Sequence, residues 1–267
     1  MVVKEVQISQ IDVCNRKMEQ KKDFVAEETP LHIFLDQTHY ATILCSPNQL
    51  KELTVGHLVS EGVLKSAEEI KEIHLEEGEK CVVRLKKGVE VEKRIRAAQP
   101  FARLIVSACG SPDYWPLSKL TDRLHVSKLP SNLIIDAKVI SDSVKQLNTL
   151  AETFRKTGGV HVAAAYSSKG ELKTFAEDIG RHNAVDKIIG ACVLRNLNLN
   201  DCFFASSGRL SGDIVLKAAR MRVQVIASLT AALYSGIEIA QYMGVTLVGF
   251  VRGRRMNIYT YPERIIY

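Results

Sequence analysis

The chain has 267 residues, 46% of them hydrophobic and 25% charged, with a formal net charge of +6. That is enough chain for one large or two modest domains around a sizeable core, and the balance excludes a disordered or fibrous polypeptide. The charge is uneven: residues 1–108 hold 16 Lys+Arg and 17 Asp+Glu, residues 109–267 hold 20 and 13, so the second half attracts anions. Arg outnumbers Lys there by 11 to 9, and guanidinium groups suit bidentate phosphate contacts. No long basic tract or aromatic-interleaved patch supports a nucleic acid partner; a phosphorylated small molecule fits as well or better. No apolar run reaches the roughly 18–20 residues of a membrane span. The six cysteines, Cys14, Cys45, Cys81, Cys109, Cys192 and Cys202, include no C-x-x-C pair. Met1 runs straight into charged, alternating sequence, so a cytoplasmic protein with reduced thiols and no metal site is expected.

In chain order, residues 1–45 alternate in short β-like runs such as Val2–Ile11 and Leu31–Leu44. Pro47-Asn48 opens a helix on which Leu50, Leu53, Val55, Leu58, Val59, Val63 and Leu64 recur at helical spacing. Residues 70–98 return to strand character in EIHLEE, CVVRLKKG and VEVEKRIRA. Pro100 to Pro130 is irregular, and connections of that length are often functional. A helix is expected over Ala137–Lys156, ended by Gly158-Gly159. The remainder alternates strand and helix: Val160–Ser167, Glu171–Ala176, helix Arg181–Leu197, Cys202–Ser206, helix Ser211–Arg222, Val223–Leu229, helix Ala232–Met243, Val245–Val251, and a final strand at Ile258–Thr260. This alternation predicts an α/β layer with parallel pairings, and ligands in such sheets sit at the carboxyl ends of strands. The predicted division is a β-rich part with one helix, residues 1–108, and an α/β cofactor-binding domain, residues 109–267.

Chemistry-bearing residues gather at the predicted strand ends. EDIGRHNAVDK, residues 177–187, packs several polar functions around Gly180 at a helix start, where free N–H groups and partial positive charge suit anions. Read as a solvated helix start, the same residues give an i,i+4 pair, Asp178 to His182. Gly158-Gly159-Val160-His161 allows close backbone approach to a ligand, or serves as a plain helix end. Ser206-Ser207-Gly208-Arg209-Leu210-Ser211-Gly212-Asp213 holds the parts of a phosphate cradle, or is an ordinary turn capped by Ser211 or Asp213. Phe250-Val251-Arg252-Gly253-Arg254-Arg255 puts three arginines in four residues at the end of the last apolar strand. Among the thiols, Cys45, Cys192 and Cys202 sit in apolar runs as small buried hydrophobes. Cys109 alone follows a strand, LIVSA, and enters a Gly- and Pro-containing loop, where a thiolate can act as nucleophile or carrier.

Together, TGGVHVAAAYS, EDIGRHNAVDKIIGA, SSGRLSGDIVLKAAR and VGFVRGRRMNIYTYPERI, with AEETPLHIFLD and LTVGHLVSEGVL upstream, resemble the FdhD family of formate dehydrogenase accessory proteins over nearly the whole chain. The resemblance implies a cytoplasmic sulfurtransferase that takes persulfide sulfur from a cysteine desulfurase. It passes that sulfur to the molybdenum bis(molybdopterin guanine dinucleotide) cofactor, bound as substrate, for formate dehydrogenase. It implies a cytidine-deaminase-like α/β layer beside the smaller β-rich part, and a homodimer. By this likeness Cys109 carries the sulfur, and guanine dinucleotide contacts fall on Phe250, Val251, Arg252, Gly253, Arg254 and Arg255. Gly159, His161, Arg181, His182, Ser207, Gly208 and Arg209 complete the expected pocket, shaped by Asp178 and Asn183, with His161 and His182 as proton handlers. The chain departs from the family in one place. Where many members have Cys-Gly-x-Cys-Gly, it has Cys109-Gly110-Ser111-Pro112-Asp113, which leaves no two-thiol relay. A non-catalytic chaperone that delivers the cofactor is therefore the alternative. A zinc deaminase needs His-x-Glu and Pro-Cys-x-x-Cys; His161-Val162-Ala163 has Ala in place of the Glu, and the cysteine pair is missing.

Overall fold

The computed structural model describes residues 2–76, 79–95, 128–130 and 132–267. Cys109, its neighbours to Asp113, and the proposed boundary at residue 108 lie outside the described residues. The chain opens with β1 (Val3–Asp12) and β2 (Lys17–Ala26), an antiparallel ribbon that pairs with no other sheet. The polar run KMEQKKDFVA carries no buried face. Its apolar signal is correspondingly weak, and β2 is a strand that periodicity does not announce.

A four-stranded sheet follows in the order β4-β3-β6-β5, from β3 (Thr29–Leu35), β4 (Thr38–Cys45), β5 (Ile70–Glu76) and β6 (Lys80–Leu85). β3 and β6 run parallel, and the other two pairings are antiparallel. The expected strand VEVEKRIRA does not form. Residues 92–95 make a helical turn closed by Ile95 N–H to Val91 C=O at 2.8 Å. Arg94 fastens that turn to Glu69 at 2.7 Å.

The main sheet has six strands in the order β13-β12-β11-β10-β8-β9. They are β8 (His161–Ser167), β9 (Leu172–Asp178), β10 (Cys202–Ser206), β11 (Val225–Ser228), β12 (Thr246–Arg252) and β13 (Arg255–Ile258). Only β10–β11 and β11–β12 are parallel; β8–β9, β8–β10 and β12–β13 are antiparallel. The sheet is therefore mixed rather than parallel throughout, because the Lys169-Gly170 turn is too short for a crossover and returns β9 beside β8. The last strand lies earlier than Ile258–Thr260, since the Gly253 turn pairs Arg255 back onto Arg252.

Side-chain alternation splits the core into two layers. Ala163, Ala165, Phe204, Ile226 and Leu247 face α1 (Leu50–Ser60), α4 (Arg181–Leu194), α5 (Gly212–Arg220) and α6 (Tyr234–Met243). Val162, Ala164, Tyr166, Phe203, Val225 and Val248 face α2 (Ala137–Leu150), which buries Ile140, Val144 and Leu147. The expected helix Ala137–Lys156 breaks at Ala151, and α3 (Glu152–Thr157) starts afresh. Buried Glu177 is the cause: its carboxylate accepts the N–H groups of Thr153 and Phe154 at 3.0 and 2.9 Å and caps the second helix. Short strands β7 (Ile135–Asp136) and β14 (Ile265–Ile266) pair beside α2.

The first sheet and α1 share one core with α4, α5 and α6. Gly56 and Gly190 let α1 and α4 meet backbone to backbone. A Cβ on Gly56 would lie 1.7 Å from Asp186 O, and one on Gly190 would lie 1.8 Å from Glu52 O. Side-chain charge locks the same seam. Lys217 Nζ of α5 reaches Asp186 Oδ2 of α4 at 2.9 Å and Glu61 Oε1 beside α1 at 2.7 Å, while His57 Nδ1 meets Asp186 Oδ2 at 3.2 Å. Burial would raise the Asp186 carboxyl, but the charge and hydrogen bonds of Lys217 and His57 outweigh it and hold it at about 2.

Candidate functional site

Register gathers the expected site at one end of the main sheet. His161 at the start of β8 pairs with Asp178 at the end of β9, and Ala163 pairs with Ser206 at the end of β10. Ser228 ends β11 beside Ser206, and β12 runs parallel to β11. The ends of β9, β10, β11 and β12 and the start of β8 therefore share one edge, the carboxyl edge expected of a ligand site. Gly158, at φ 64°, closes α3 and returns the chain through Gly159 into β8.

One pole of this edge is built on His161, Arg181, His182 and Arg209. Gly208 is required there: a Cβ would stand 2.7 Å from Arg181 Cβ, so the arginine stem lies directly over the backbone. Arg181 Nε is buried and has no hydrogen-bond partner among the described residues. A buried donor left unpaired is costly, and an arriving anion would satisfy it. Arg209 is exposed at the mouth. His161 Nδ1 lies 3.3 Å from Ser207 Oγ, which accepts the Val162 N–H at 3.0 Å. Burial, then the charges of Arg181, His182 and Arg209, hold His161 below its ordinary range, against a smaller opposite pull from Asp178.

The expected pair between Asp178 and His182 does not form. His182 Nε2 instead lies against Asp213 Oδ2 of α5. Burial would raise the Asp213 carboxyl, yet the hydrogen bond and charge of His182 hold it well below the usual carboxylate range. Asp178 ends a strand, and its fully buried carboxylate accepts from Gly180 N–H at 2.9 Å, Asn183 Nδ2 at 2.9 Å and Ser46 N–H at 3.1 Å. It pairs with Lys187 Nζ at 2.7 Å. Asn183 also donates to Leu44 O at 2.8 Å. Asp178, Asn183 and Lys187 thus tie the site loop to the end of β4. The Asp213 carboxylate does not cap α5 in the expected way either: Ser211 is the N-cap residue and makes no side-chain cap bond.

The second pole stands at β12. Phe250 takes a left-handed φ of 51° and donates its N–H to Thr230 O at 2.9 Å. Arg252 Nε donates to Leu229 O at 2.8 Å, with its guanidinium 5.7 Å from the Phe250 ring centre. Val251 turns into the core at 3% exposure, whereas Arg254 and Arg255 follow Gly253, exposed at the turn into β13. Arg252 alone of the three arginines is drawn onto the loop bed. From β8 across β10 and β11 to β12 is three strand spacings, ~14 Å.

Between the poles lies a hydroxyl bridge that the motif reading passed over. Ser228 Oγ donates to Gly208 O at 2.6 Å and sits 3.1 Å from Thr230 Oγ1, while Leu229 N–H donates to Ser206 O at 3.1 Å. The signal was present in Ser228-Leu229-Thr230, a polar break at a strand's carboxyl end. It was muted by lacking both Gly and charge.

No nucleophilic thiol joins this edge among the described residues. Cys45 and Cys192 are buried, and burial pushes both thiols up to about 12; it also raises Cys81 and Cys202. Cys14 is exposed, at the turn between β1 and β2. The edge as described can bind and orient an anion, and it supplies two imidazoles for proton handling.

The model of the FdhD/NarQ family matches residues 26–266. A Sulfolobus acidocaldarius protein named sulfur carrier protein FdhD is 36% identical over 266 residues, 99% of each chain. Its Bacillus subtilis namesake is 32% identical over 248 residues, 91% of each. A crystal structure assigned as a formate dehydrogenase accessory protein from Desulfotalea psychrophila aligns over all of both chains, with a TM-score of 0.78 and 25% identity. With the family match spanning all but the first ribbon and relatives above 30% identity along nearly its whole length, the chain belongs to the FdhD/NarQ family.

Proposed function

We propose that this chain is a sulfur carrier serving formate dehydrogenase. In this reading it takes persulfide sulfur from a cysteine desulfurase and passes it to the molybdenum bis(molybdopterin guanine dinucleotide) cofactor, which it binds as substrate. The relatives named sulfur carrier protein support the sulfur role. The observation that carries the cofactor is the pair of cationic poles along one sheet edge, Arg181 with Arg209 and Arg252 with its neighbours. One phosphate would occupy one pole; a pyrophosphate-linked guanine nucleotide is long enough to engage both. We place the pyrophosphate over Gly208 and Arg181, and the base toward Phe250 and Arg252. A cytidine-deaminase-like arrangement of the main layer, a cytoplasmic location and a homodimer belong to the same proposal.

Cys109 is the carrier in this reading, by its likeness to the family's loop cysteine; burial raises the thiols of Cys45, Cys81, Cys192 and Cys202, and thiolate is the reactive form. Its thiolate attacks the outer sulfur of the donor persulfide. An S–S bond forms to Cys109 as the donor S–S bond breaks, and the electron pair leaves with the donor thiolate. The sulfur moves as a neutral atom, so the exchange is redox-neutral. Loss of that outer sulfur as a neutral atom breaks the S–S bond and returns its electron pair to Cys109 as thiolate, while the pair for the sulfur's new bond comes from the reduced cofactor that accepts it. Mass spectrometry after incubation with a desulfurase and cysteine tests the step: wild type gains one sulfur atom's mass and Cys109→Ala does not. If Cys109→Ala still gains sulfur and still activates formate dehydrogenase, the carrier reading fails. Pro112 in place of a second cysteine favours the other reading, a chaperone that only delivers the cofactor. That reading predicts full activation without Cys109, and loss when the arginines are neutralised.

A further inference from the structure

The charges at the first pole do not balance. Lys187 answers Asp178 and Asp213 answers His182, which leaves Arg181 and Arg209 without a carboxylate partner among the described residues. His161 stands half-buried between them at the start of β8. Ser207 Oγ accepts from Val162 N–H and lies 3.3 Å from the ring Nδ1, and it can donate to a neutral ring or accept from a protonated one, so the contact serves His161 in either state. The groups facing His161 are Arg181 and His182 from α4, Arg209 from the β10–α5 connection, and Asp178 from the end of β9. In the free site, burial and the neighbouring guanidinium groups of Arg181 and Arg209 oppose charge on the ring. An anion settling among those cations cancels their field at the ring and turns the balance toward the imidazolium.

We infer that His161 is neutral in the free site and gains a proton from solvent when an anionic group docks between Arg181, His182 and Arg209, so that capture of the anion is coupled to proton uptake. This rests on the phosphate-binding reading of the site and adds the residue that adjusts the site's charge to its cargo. The geometry assigns His161 the adjustable charge, since His182 is already engaged by Asp213 of α5. Release then becomes easier as pH rises, because the bound state needs a proton that the free site lacks and that solvent supplies less readily.

The test uses the full chain and P1,P2-di(guanosine-5′) diphosphate, whose pyrophosphate diester does not titrate near neutral pH. Calorimetry near pH ~7 in buffers of different ionisation enthalpy reads protons taken up per ligand. Wild type is expected to take up a substantial fraction of a proton, and its affinity to weaken with pH by up to about tenfold per unit. His161→Asn is expected to bind with no uptake. Binding by wild type without uptake overturns the inference, as does undiminished uptake in His161→Asn. Ring 15N shifts of His161 in the wild-type protein give a readout independent of the variant's folding: a ring that stays neutral at saturation also overturns it. Binding without uptake leaves the phosphate site standing, whereas failure of wild type to bind at all overturns the site and the inference together.

Discussion

The helix seam and the sheet edge hold comparable numbers of charged groups, and they treat them in opposite ways. At the seam of α1, α4 and α5, Lys217, Asp186, Glu61 and His57 answer one another at 2.7–3.2 Å in a dry interior. At the edge, Arg181 keeps a buried nitrogen without a partner among the described residues, and Arg209 faces solvent. Charges that complete one another hold a fold in register; cations left incomplete at strand ends await an anion from outside. The helices supply both: His182 and Asp186 share α4, Asp213 and Lys217 share α5, and each pair is one turn apart.

Breaking the seam should give the largest effect. Lys217→Met leaves two carboxylates buried without their cation and is expected to cost about 3–5 kcal/mol, read as a lowered urea midpoint. Gly56→Ala forces α1 away from α4 and should cost about 3 kcal/mol by the same measurement, with Gly190→Ala as its mirror. Acid should act on the seam next. Asp186 is held at about 2 in the fold. Its contribution is therefore complete above the ordinary carboxylate range near pH ~4 and is lost as pH falls toward about 2. That amounts to about 2 kcal/mol, and an Asp186→Asn background should remove this slope.

The edge should respond in binding instead. Arg181→Ala is expected to weaken guanosine dinucleotide binding by about 1.5–3 kcal/mol, roughly tenfold to a hundredfold, through loss of a charge-assisted contact. Its urea midpoint should move little, within about 0.5 kcal/mol. If stability fell with affinity, the distinction between seam and edge would collapse. The smallest effect belongs to the β1–β2 ribbon, whose Ile11 and Val13 are 62% and 82% exposed; Ile11→Ser should stay within about 0.5 kcal/mol. Thiol labelling sharpens the same contrast: Cys14 should react at once in the native protein, and Cys45, Cys81, Cys192 and Cys202 only on unfolding.

Much of the site was legible in the chain. Gly180, Ser207-Gly208 and Gly253 mark the strand ends, and the structure brings the first two to one edge with His161. Less legible was the partner of each charge. The i,i+4 spacing of Asp178 and His182 suggests a helical pair, but Asp178 belongs to β9, and Ser46 N–H just beyond β4 and the Asn183 amide of α4 claim its carboxylate. Glu177 reads as a loop acid and proves to be the cap that cuts one expected helix into two.

The sequence by itself determined the periodicities, and with them the α/β alternation, the motif positions and the family. Those are local properties, set by side-chain spacing along a few turns or strands. Tertiary structure alone decided that the main sheet is mixed, that Gly56 and Gly190 are a helix crossing, and which cations are paired. The helix crossing and the Glu61–Lys217 pair depend on residues more than a hundred positions apart meeting in a low-dielectric interior. Pairing there is settled by which donors and acceptors the packing leaves within reach. The charge left over once those pairs have formed is what gives the sheet edge its chemistry.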